Sequence, residues 1–264
     1  MPHVTVGGQR LFYLRRAADG QSGPVVLLLH GAGGNALLWG RVLNALPGVN
    51  AIALDLPGHG RSAGPGRSSI AAYCDDVLGL AERLHLDDLV LAGHSMGGAV
   101  ALDVALRQPS RLRALVLMSV AARLFVAPAL LQQLVEDPAK ARQWIIDTGY
   151  GPQTLAEARE LGARQLAEVA PEVLHGDFFA CSVYDARLRL SEVGRPALVL
   201  CGAEDRLTPP SCVRALQEGL PAAYLELVPC AGPMLPLECP QAGAGAMGRF
   251  LSSLGTPKRS ECQA

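Results

Sequence analysis

The residue with the clearest chemical potential in this sequence is Ser95, which lies in the stretch GHSMGG at 93–98. This G-x-S-x-G pattern follows an apolar, strand-like run at 89–94 and precedes the helical run AVALDVALRQ at 99–108. In that context it predicts a nucleophile elbow, a sharp strand-to-helix turn that exposes a serine hydroxyl and needs small neighbours. The helix N-terminus supplies amides and a positive dipole end for an oxyanion. The pattern therefore indicates a serine nucleophile rather than a glycine-rich turn with an incidental serine.

Two other stretches with chemical potential also follow strand-like runs. HGAGGN at 30–35 could supply one amide of an oxyanion-binding pair, and it lacks the glycine spacing and the lysine of nucleotide-phosphate loops. GAEDRLTPP at 202–210 places Asp205 just past a strand end, where a carboxylate can orient an imidazole or simply stabilise a turn. Its position after Ser95 in the chain favours the first interpretation without excluding the second.

The elements that must position these residues alternate between strands and helices. Near-continuous apolar runs are typical of parallel strands covered on both faces, and helical patterns at 68–86 and 211–220 separate some of them. This order predicts an α/β fold with a mostly parallel central sheet of about eight strands flanked by helices. The apolar runs lie at 25–30, 50–55, 89–94, 112–119, 196–202 and 223–229.

The alternation stops in the middle of the chain, where only helical patterns occur. We therefore expect a helical cap inserted into one discontinuous α/β core. The cap supplies mixed charges and the apolar residues Phe125, Trp144, Phe178 and Phe179. The expected boundaries are 1–121 and 194–254 for the core, 122–193 for the cap and 255–264 for a flexible tail.

Composition excludes several classes of partner. Among 264 residues, 50% are hydrophobic, 18% are charged and the formal net charge is −1, so the chain lacks the basic surface that nucleic acid or an acidic membrane attracts. The longest apolar run is strand-sized, and the start of the sequence lacks a signal-peptide stretch. Seven scattered cysteines show neither paired metal spacing nor a disulfide framework. We expect a cytoplasmic protein without cofactor or metal that binds a small apolar or acyl ligand.

Five motifs in a fixed order carry a family resemblance. They are HGAGG, DLPGHGRS, GHSMGG, GAEDRLTPP and AGPMLPLE. With them, residues 3–254 resemble α/β-hydrolase-fold proteins of the capped esterase and C–C hydrolase type. The resemblance implies a catalytic triad in the order serine, acid, histidine. It implies Ser95 as the nucleophile, Asp205 as the acid and the backbone amides of Ala32 and Met96 as the oxyanion hole.

The expected histidine of that triad is absent. In AGPMLPLE, the position that the resemblance assigns to histidine holds Pro233, with the register fixed by Gly232 before it and MLPLE after it. Proline has no titratable group, and losing the histidine of a serine triad lowers turnover by on the order of 10⁶, although binding and the oxyanion hole leave residual catalysis. Conventional hydrolysis is therefore in doubt.

Another histidine could in principle supply the base. His30 and His59 belong to motifs that accompany the usual base, and His94 precedes the nucleophile, so its side chain should point away from Ser95. His3 and His85 lie near the N-terminus and at a predicted helix end. His175, in the predicted cap, is the one candidate for a relocated base, and a packing role is the alternative.

Two classes of function remain open from the sequence. The first is a serine hydrolase acting on a small ester, thioester or related acyl compound. The second is a protein that keeps the same pocket for ligand binding and has lost catalysis at Pro233. A narrower third possibility is a non-hydrolytic enzyme that needs only the pocket and the oxyanion hole.

Overall fold

A central sheet of eight strands runs through the computed structural model of the chain, which describes residues 2–18 and 23–255. The predicted tail at 255–264 lies outside the described residues except for Gly255. The strands are β1 (His3–Val6), β2 (Gln9–Arg16), β3 (Val25–Leu29), β4 (Asn50–Leu54), β5 (Leu89–His94), β6 (Leu112–Met118), β7 (Ala197–Gly202) and β8 (Ala223–Val228).

The strand order is β1-β2-β4-β3-β5-β6-β7-β8. Strands β3 to β8 pair in parallel, whereas β1 and β2 form an antiparallel hairpin that extends one edge through β4. The chain leaves β3 toward β4 and then crosses back to β5 on the other side of β3. In open α/β sheets, ligands bind at the carboxyl ends of the strands beside such a change of direction. The loops after β3 and β5 are therefore where a site is expected.

Ten α-helices occur in the described residues, with two 3₁₀ helices at Ala36–Trp39 and Arg187–Glu192. The α-helices are α1 (Gly40–Asn44), α2 (Ile70–Arg83), α3 (Met96–Leu106), α4 (Pro128–Glu136), α5 (Pro138–Thr148), α6 (Ala156–Glu168), α7 (Pro171–Val183), α8 (Pro210–Gly219), α9 (Leu235–Glu238) and α10 (Pro240–Ser253).

Helices cover both faces of the sheet, as predicted. Alternate residues of each inner strand enter opposite cores: Leu27 packs with α2 and α3, while Val26 and Leu28 pack with α1 and α10. This two-sided burial explains why the inner strands read as continuous apolar runs. None of the described helices is long and apolar enough to cross a membrane.

Four helices, α4 to α7, fill the chain between β6 and β7, and we call them the inserted helices. Three of them begin with proline at the first helical position, where its missing N–H and fixed φ suit a helix start. They share a small apolar core of their own that includes Leu130, Leu134 and Leu174. The extended pairing described for this segment is limited to a single bridge between Arg123 and Asp185 at its two ends.

Candidate active site

Ser95 sits on a strained turn between β5 and α3. Its backbone angles are φ +50° and ψ −118°, outside the regions that L-residues favour, as a nucleophile elbow requires. The neighbouring glycines make the turn possible, because a Cβ at Gly97 would overlap the carbonyl groups of Leu29 and His30, and one at Gly93 would overlap the Gly97 backbone. The sequence thus folds locally to present a half-buried serine at the carboxyl end of the sheet.

A cavity of about 370 Å³ opens beside Ser95. Its walls combine the glycine loop after β3 (Gly31–Gly34), Pro233 and residues of the inserted helices. Of the four aromatic residues noted in the predicted cap, three line the cavity: Phe125, Trp144 and Phe178. The fourth, Phe179, does not and is 43% exposed. Among the described residues no carboxylate lines the cavity, and Arg206 is the one lysine or arginine that does. Most of the residues that line the cavity are apolar.

The two amides assigned to an oxyanion hole are free. Neither Ala32 N–H nor Met96 N–H donates a hydrogen bond to another described residue. Met96 is the first residue of α3, where helix geometry leaves the amide unpaired and the dipole is positive. Ala32 lines the cavity with Ser95, while the Met96 side chain is buried in the core. The structure therefore leaves two unpaired donors next to the serine.

Asp205 is buried in its own loop rather than at the cavity wall. Its Oδ1 accepts hydrogen bonds from Leu207 N at 3.0 Å and Thr208 N at 2.8 Å, and its Oδ2 accepts one from Thr208 Oγ1 at 2.8 Å. Burial raises the pKa of the carboxyl, and these hydrogen bonds oppose that rise. Ser119 also opposes it, although its hydroxyl lies outside normal hydrogen-bond geometry and has no partner among the described residues. Local donors alone satisfy this carboxylate.

Pro233 lines the cavity in a loop whose backbone is fixed on three sides. Glu238 accepts from Gly232 N at 2.7 Å and from Met234 N at 2.9 Å, one on each side of the proline. The third contact is a 2.8 Å hydrogen bond from His94 Nε2 to the Pro233 carbonyl. The position therefore faces the cavity in a defined geometry, and the group it presents there is a pyrrolidine ring.

His94, which the sequence led us to expect pointing away from Ser95, lines the same cavity. Since its Nε2 donates to a carbonyl, the neutral ring has an unprotonated Nδ1, and that atom has no partner among the described residues. Burial lowers the pKa of His94 to about 4, which the hydrogen bond to Pro233 only partly opposes. A ring that binds protons so weakly is a poor general base near neutral pH.

His175 does not line the cavity that contains Ser95. It is half-buried on α7 and stacks against Phe179 with ring centroids 6.3 Å apart. The structure thus brings Ser95, Ala32 and Pro233 together at one cavity, with the Met96 amide next to the serine. It gives no support to a base supplied from His175.

Two carboxylates that the sequence did not single out connect the inserted helices to this site. Asp177 on α7 accepts from Gly33 N at 2.9 Å. Glu238, noted in the sequence only as the end of a motif, also accepts from Gly151 N and from Thr154 Oγ1. Asp177 has no sequence signal, because it is an isolated acid in a helix. Among the described residues no cluster of three or more side chains suited to a metal ion occurs.

With this geometry in hand, comparison with known proteins is decisive for the family. A family model described as the alpha/beta hydrolase family matches residues 26–246. The chain belongs to the α/β-hydrolase family. It is 32% identical over 223 residues to a putative carbamate hydrolase, RutD, of Agrobacterium fabrum, covering 78% of this chain and 84% of the relative. It is 30% identical over 219 residues to a pimeloyl-[acyl-carrier protein] methyl ester esterase of Serratia marcescens, covering 77% and 84%.

Solved structures agree with this assignment. A thermophilic esterase from Thermogutta terrifontis, solved with malate bound, superimposes with a TM-score of 0.87 at 26% identity, covering 97% of this chain and all of that one. The α/β-hydrolase fold and the family resemblance predicted from the sequence are therefore confirmed.

Proposed function

We propose that this α/β-hydrolase protein binds a small ester, thioester or related acyl compound, with the carbonyl carbon placed against the Ser95 hydroxyl. The carbonyl oxygen would lie between the amides of Ala32 and Met96, which would stabilise negative charge on it. The observation that carries the proposal is the strained Ser95, which opens into an apolar cavity beside two unpaired N–H groups. The names of the relatives, a carbamate hydrolase and a methyl ester esterase, support the same class of carbonyl compound.

The same proposal gives the inserted helices the role of a cap over 122–193 that shapes the pocket. Phe125, Trp144 and Phe178 support this, because all three come from that segment and line the cavity. They would hold the apolar part of the ligand, while Ser95 and the amides receive its carbonyl group.

Turnover by the chain as it stands should be slow. A serine hydroxyl attacks a carbonyl efficiently only when a base takes its proton, and Pro233 cannot act as one. His94 binds protons too weakly for that task, and Asp205 is already satisfied by its own loop. Binding and the oxyanion amides still contribute. In serine hydrolases without a working triad they accelerate the reaction by on the order of 10³–10⁴ over the rate in water.

The second candidate function is ligand binding without catalysis. The observation that favours it is Pro233 itself, combined with an Asp205 carboxylate that needs no imidazole partner. Both candidates use one pocket and one ligand class, and they differ only in whether bond cleavage follows binding.

Ligand class is tested first, by a thermal-shift screen of the purified chain. Neutral acyl esters, thioesters and lactones should raise the melting temperature, since they bind the folded state alone. Phe178→Ala removes an aromatic wall of the cavity and should weaken the best ligand about tenfold. Phe179→Ala is the matched control, because the Phe179 ring is exposed and does not line the cavity. This substitution should leave the affinity unchanged. Tightest binding by nucleotides or other polyanions would contradict the proposed ligand class.

A further inference from the structure

A buried polar cluster joins α7 to the glycine loop beneath the inserted helices. Asp177 Oδ2 lies 2.8 Å from His59 Nε2 and accepts from Gly33 N, while Asp177 Oδ1 accepts from the Tyr73 hydroxyl at 2.5 Å. The side chains of His59 and Asp177 are fully shielded from solvent. Nothing in the proposed chemistry at Ser95 uses this cluster, so its arrangement needs its own explanation.

The contacts of His59 indicate its protonation state. Its Nδ1 lies 3.0 Å from the Pro57 carbonyl, an acceptor, and its Nε2 faces the Asp177 carboxylate. Both oxygens of that carboxylate already receive hydrogen bonds, and Tyr73 in turn accepts from Arg67 N, so the phenol proton points to Asp177. These contacts match a His59 ring that carries a proton on each nitrogen, that is, a buried imidazolium beside the Asp177 carboxylate.

His30, whose ring centroid lies 4.8 Å from that of His59, has the opposite state. Its Nε2 accepts from Leu56 N at 3.1 Å, so its single proton lies on Nδ1, which donates to the Gly31 carbonyl at 2.8 Å. Burial and the nearby His59 lower the pKa of His30 well below its usual value. Burial also lowers the pKa of His59, but the charge and hydrogen bond of Asp177, with the Pro57 carbonyl and Asp55, raise it overall.

His30 and Asp177 hold the glycine loop on both sides of Ala32. His30 binds the carbonyl of the Gly31–Ala32 peptide, and Gly34 N donates to the same oxygen at 3.1 Å. Because a trans peptide directs its C=O and N–H to opposite sides, this contact turns the Ala32 N–H away from His30. Asp177 holds the next peptide N–H, that of Gly33. The orientation of the unpaired Ala32 amide is thus determined by contacts on its two neighbours.

Two of the inserted helices, α6 and α7, also pack against the glycine loop. A Cβ at Gly33, whose φ is +67°, would collide with Leu166 of α6 and Leu174 of α7. Asp177 lies one turn after Leu174 on α7, so one helix supplies both the apolar contact and the carboxylate.

We propose that Asp177, paired with an imidazolium at His59, is a positioning residue that holds the glycine loop with the Ala32 amide turned toward Ser95. Docking of α7 and the geometry of the oxyanion donor would then be one coupled event. The part of this inference that concerns catalysis rests on the proposed function, whereas the charge state of His59 and the order of the loop do not.

The charge state is tested on the unmodified chain by nitrogen-resolved NMR of the histidine rings at about pH 8, well above the ordinary pKa of histidine. His59, assigned by loss of its signals in His59→Gln, should show two ring N–H protons, and His30 should show one. A single ring proton on His59 at that pH would overturn the inference, and this measurement needs no variant of Asp177.

Loop order is tested with Asp177→Asn. We expect His59 to lose its second ring proton and the Gly33 amide to exchange with solvent about tenfold faster or more. Asp88→Asn is the control, because Asp88 is half-buried and pairs with Arg113 at 2.8 Å but contacts neither the glycine loop nor the residues that bind Asp177. It should leave both readouts unchanged. Equal effects of the two substitutions, or none from Asp177→Asn, would overturn the positioning role.

The catalytic consequence is tested in a Pro233→His chain. There Asp177→Asn should lower kcat about tenfold or more while KM changes by less than about threefold, since an oxyanion donor acts mainly on the transition state. Asp88→Asn should change neither, and an unchanged kcat in Asp177→Asn would overturn the inference. If Pro233→His hydrolyses no ester, the hydrolase candidate fails in favour of ligand binding, and the ring and exchange measurements still decide the present inference.

Discussion

Two loops face Ser95, and they differ in which part of the chain would do the chemistry. The glycine loop at 30–34 offers a backbone amide, while the loop at 230–238 offers the side chain of residue 233. Both are fixed by a carboxylate that receives backbone N–H groups, Asp177 for the first and Glu238 for the second.

The comparison shows that loop geometry and chemical competence are separable. Backbone donors persist through side-chain substitutions that leave the loop conformation intact, whereas a base supplied by one side chain disappears with one codon change. In this protein the second loop keeps its hydrogen bonds to Glu238 and His94 although its cavity-facing residue is proline. Restoring one side chain should therefore restore most of the chemistry that the second loop lacks.

The largest expected effect therefore comes from Pro233→His. We expect hydrolysis of a short activated ester to rise by about 10³-fold or more, because a base would stand where the loop is already fixed. Initial rates of the unmodified chain, of Pro233→His and of the double variant Pro233→His with Ser95→Ala give the comparison. The double variant should fall back to the unmodified rate.

Two results would contradict this expectation. A well-folded Pro233→His with no gain would favour the binding function, and high activity in the unmodified chain that vanishes in His175→Ala would mean a base from outside the cavity wall. The new residue also adds an N–H that proline lacks and loosens a constrained φ, so folding is checked by circular dichroism alongside the rates.

Features of the fold that leave a local pattern in the sequence could be predicted from it. The inner strands are buried on both faces and read as continuous apolar runs, and the turn at Ser95 needs glycines at fixed offsets, so both were predictable. The β1–β2 hairpin was not among those runs, because both of its strands mix polar with apolar residues and β1 is the edge strand of the sheet.

The carboxylates that hold the loops carried no such signal. Asp177 meets His59 across 118 residues of sequence, and one acid on a helix has no periodicity or spacing that points to a distant partner. Nor could spacing reveal that Thr208 satisfies the Asp205 carboxylate, since a turn role and an imidazole-orienting role place an acid at the same position.

The next largest effect concerns Asp205. In the Pro233→His chain, Asp205→Asn should lower kcat about 10²-fold or more, because the acid orients the imidazole and stabilises its charged form. In the unmodified chain the same substitution should change the residual rate less than about threefold, since no imidazole is present at 233. Asp87→Asn, at an exposed acid, is the control in both chains. Equal losses in the two backgrounds would mean that Asp205 acts only through folding.

The smallest effect concerns His94, which links the turn at Ser95 to the Pro233 carbonyl of the second loop. Its pKa of about 4 lies below the 6.5 of an exposed histidine, so between those values the unfolded chain binds a proton that the folded chain does not. Stability from this group is therefore complete above pH 6.5 and declines as the pH falls toward 4. The contribution of His94 to the free energy of unfolding should fall by roughly 3 kcal/mol over this range.

Denaturant unfolding at a series of pH values separates this contribution from those of other buried groups. His30, with a lowered pKa, acts in the same direction, whereas Asp55 and Asp205, with raised pKa values, act in the opposite one. The informative quantity is thus the difference in slope between the unmodified chain and His94→Gln, which keeps a donor for the Pro233 carbonyl and does not titrate. His85→Gln, at an exposed histidine, should retain the original slope. If His94→Gln retains it too, the His94 ring is accessible to protons in the folded chain, and the contact that joins the elbow to the second loop is looser than the 2.8 Å hydrogen bond implies.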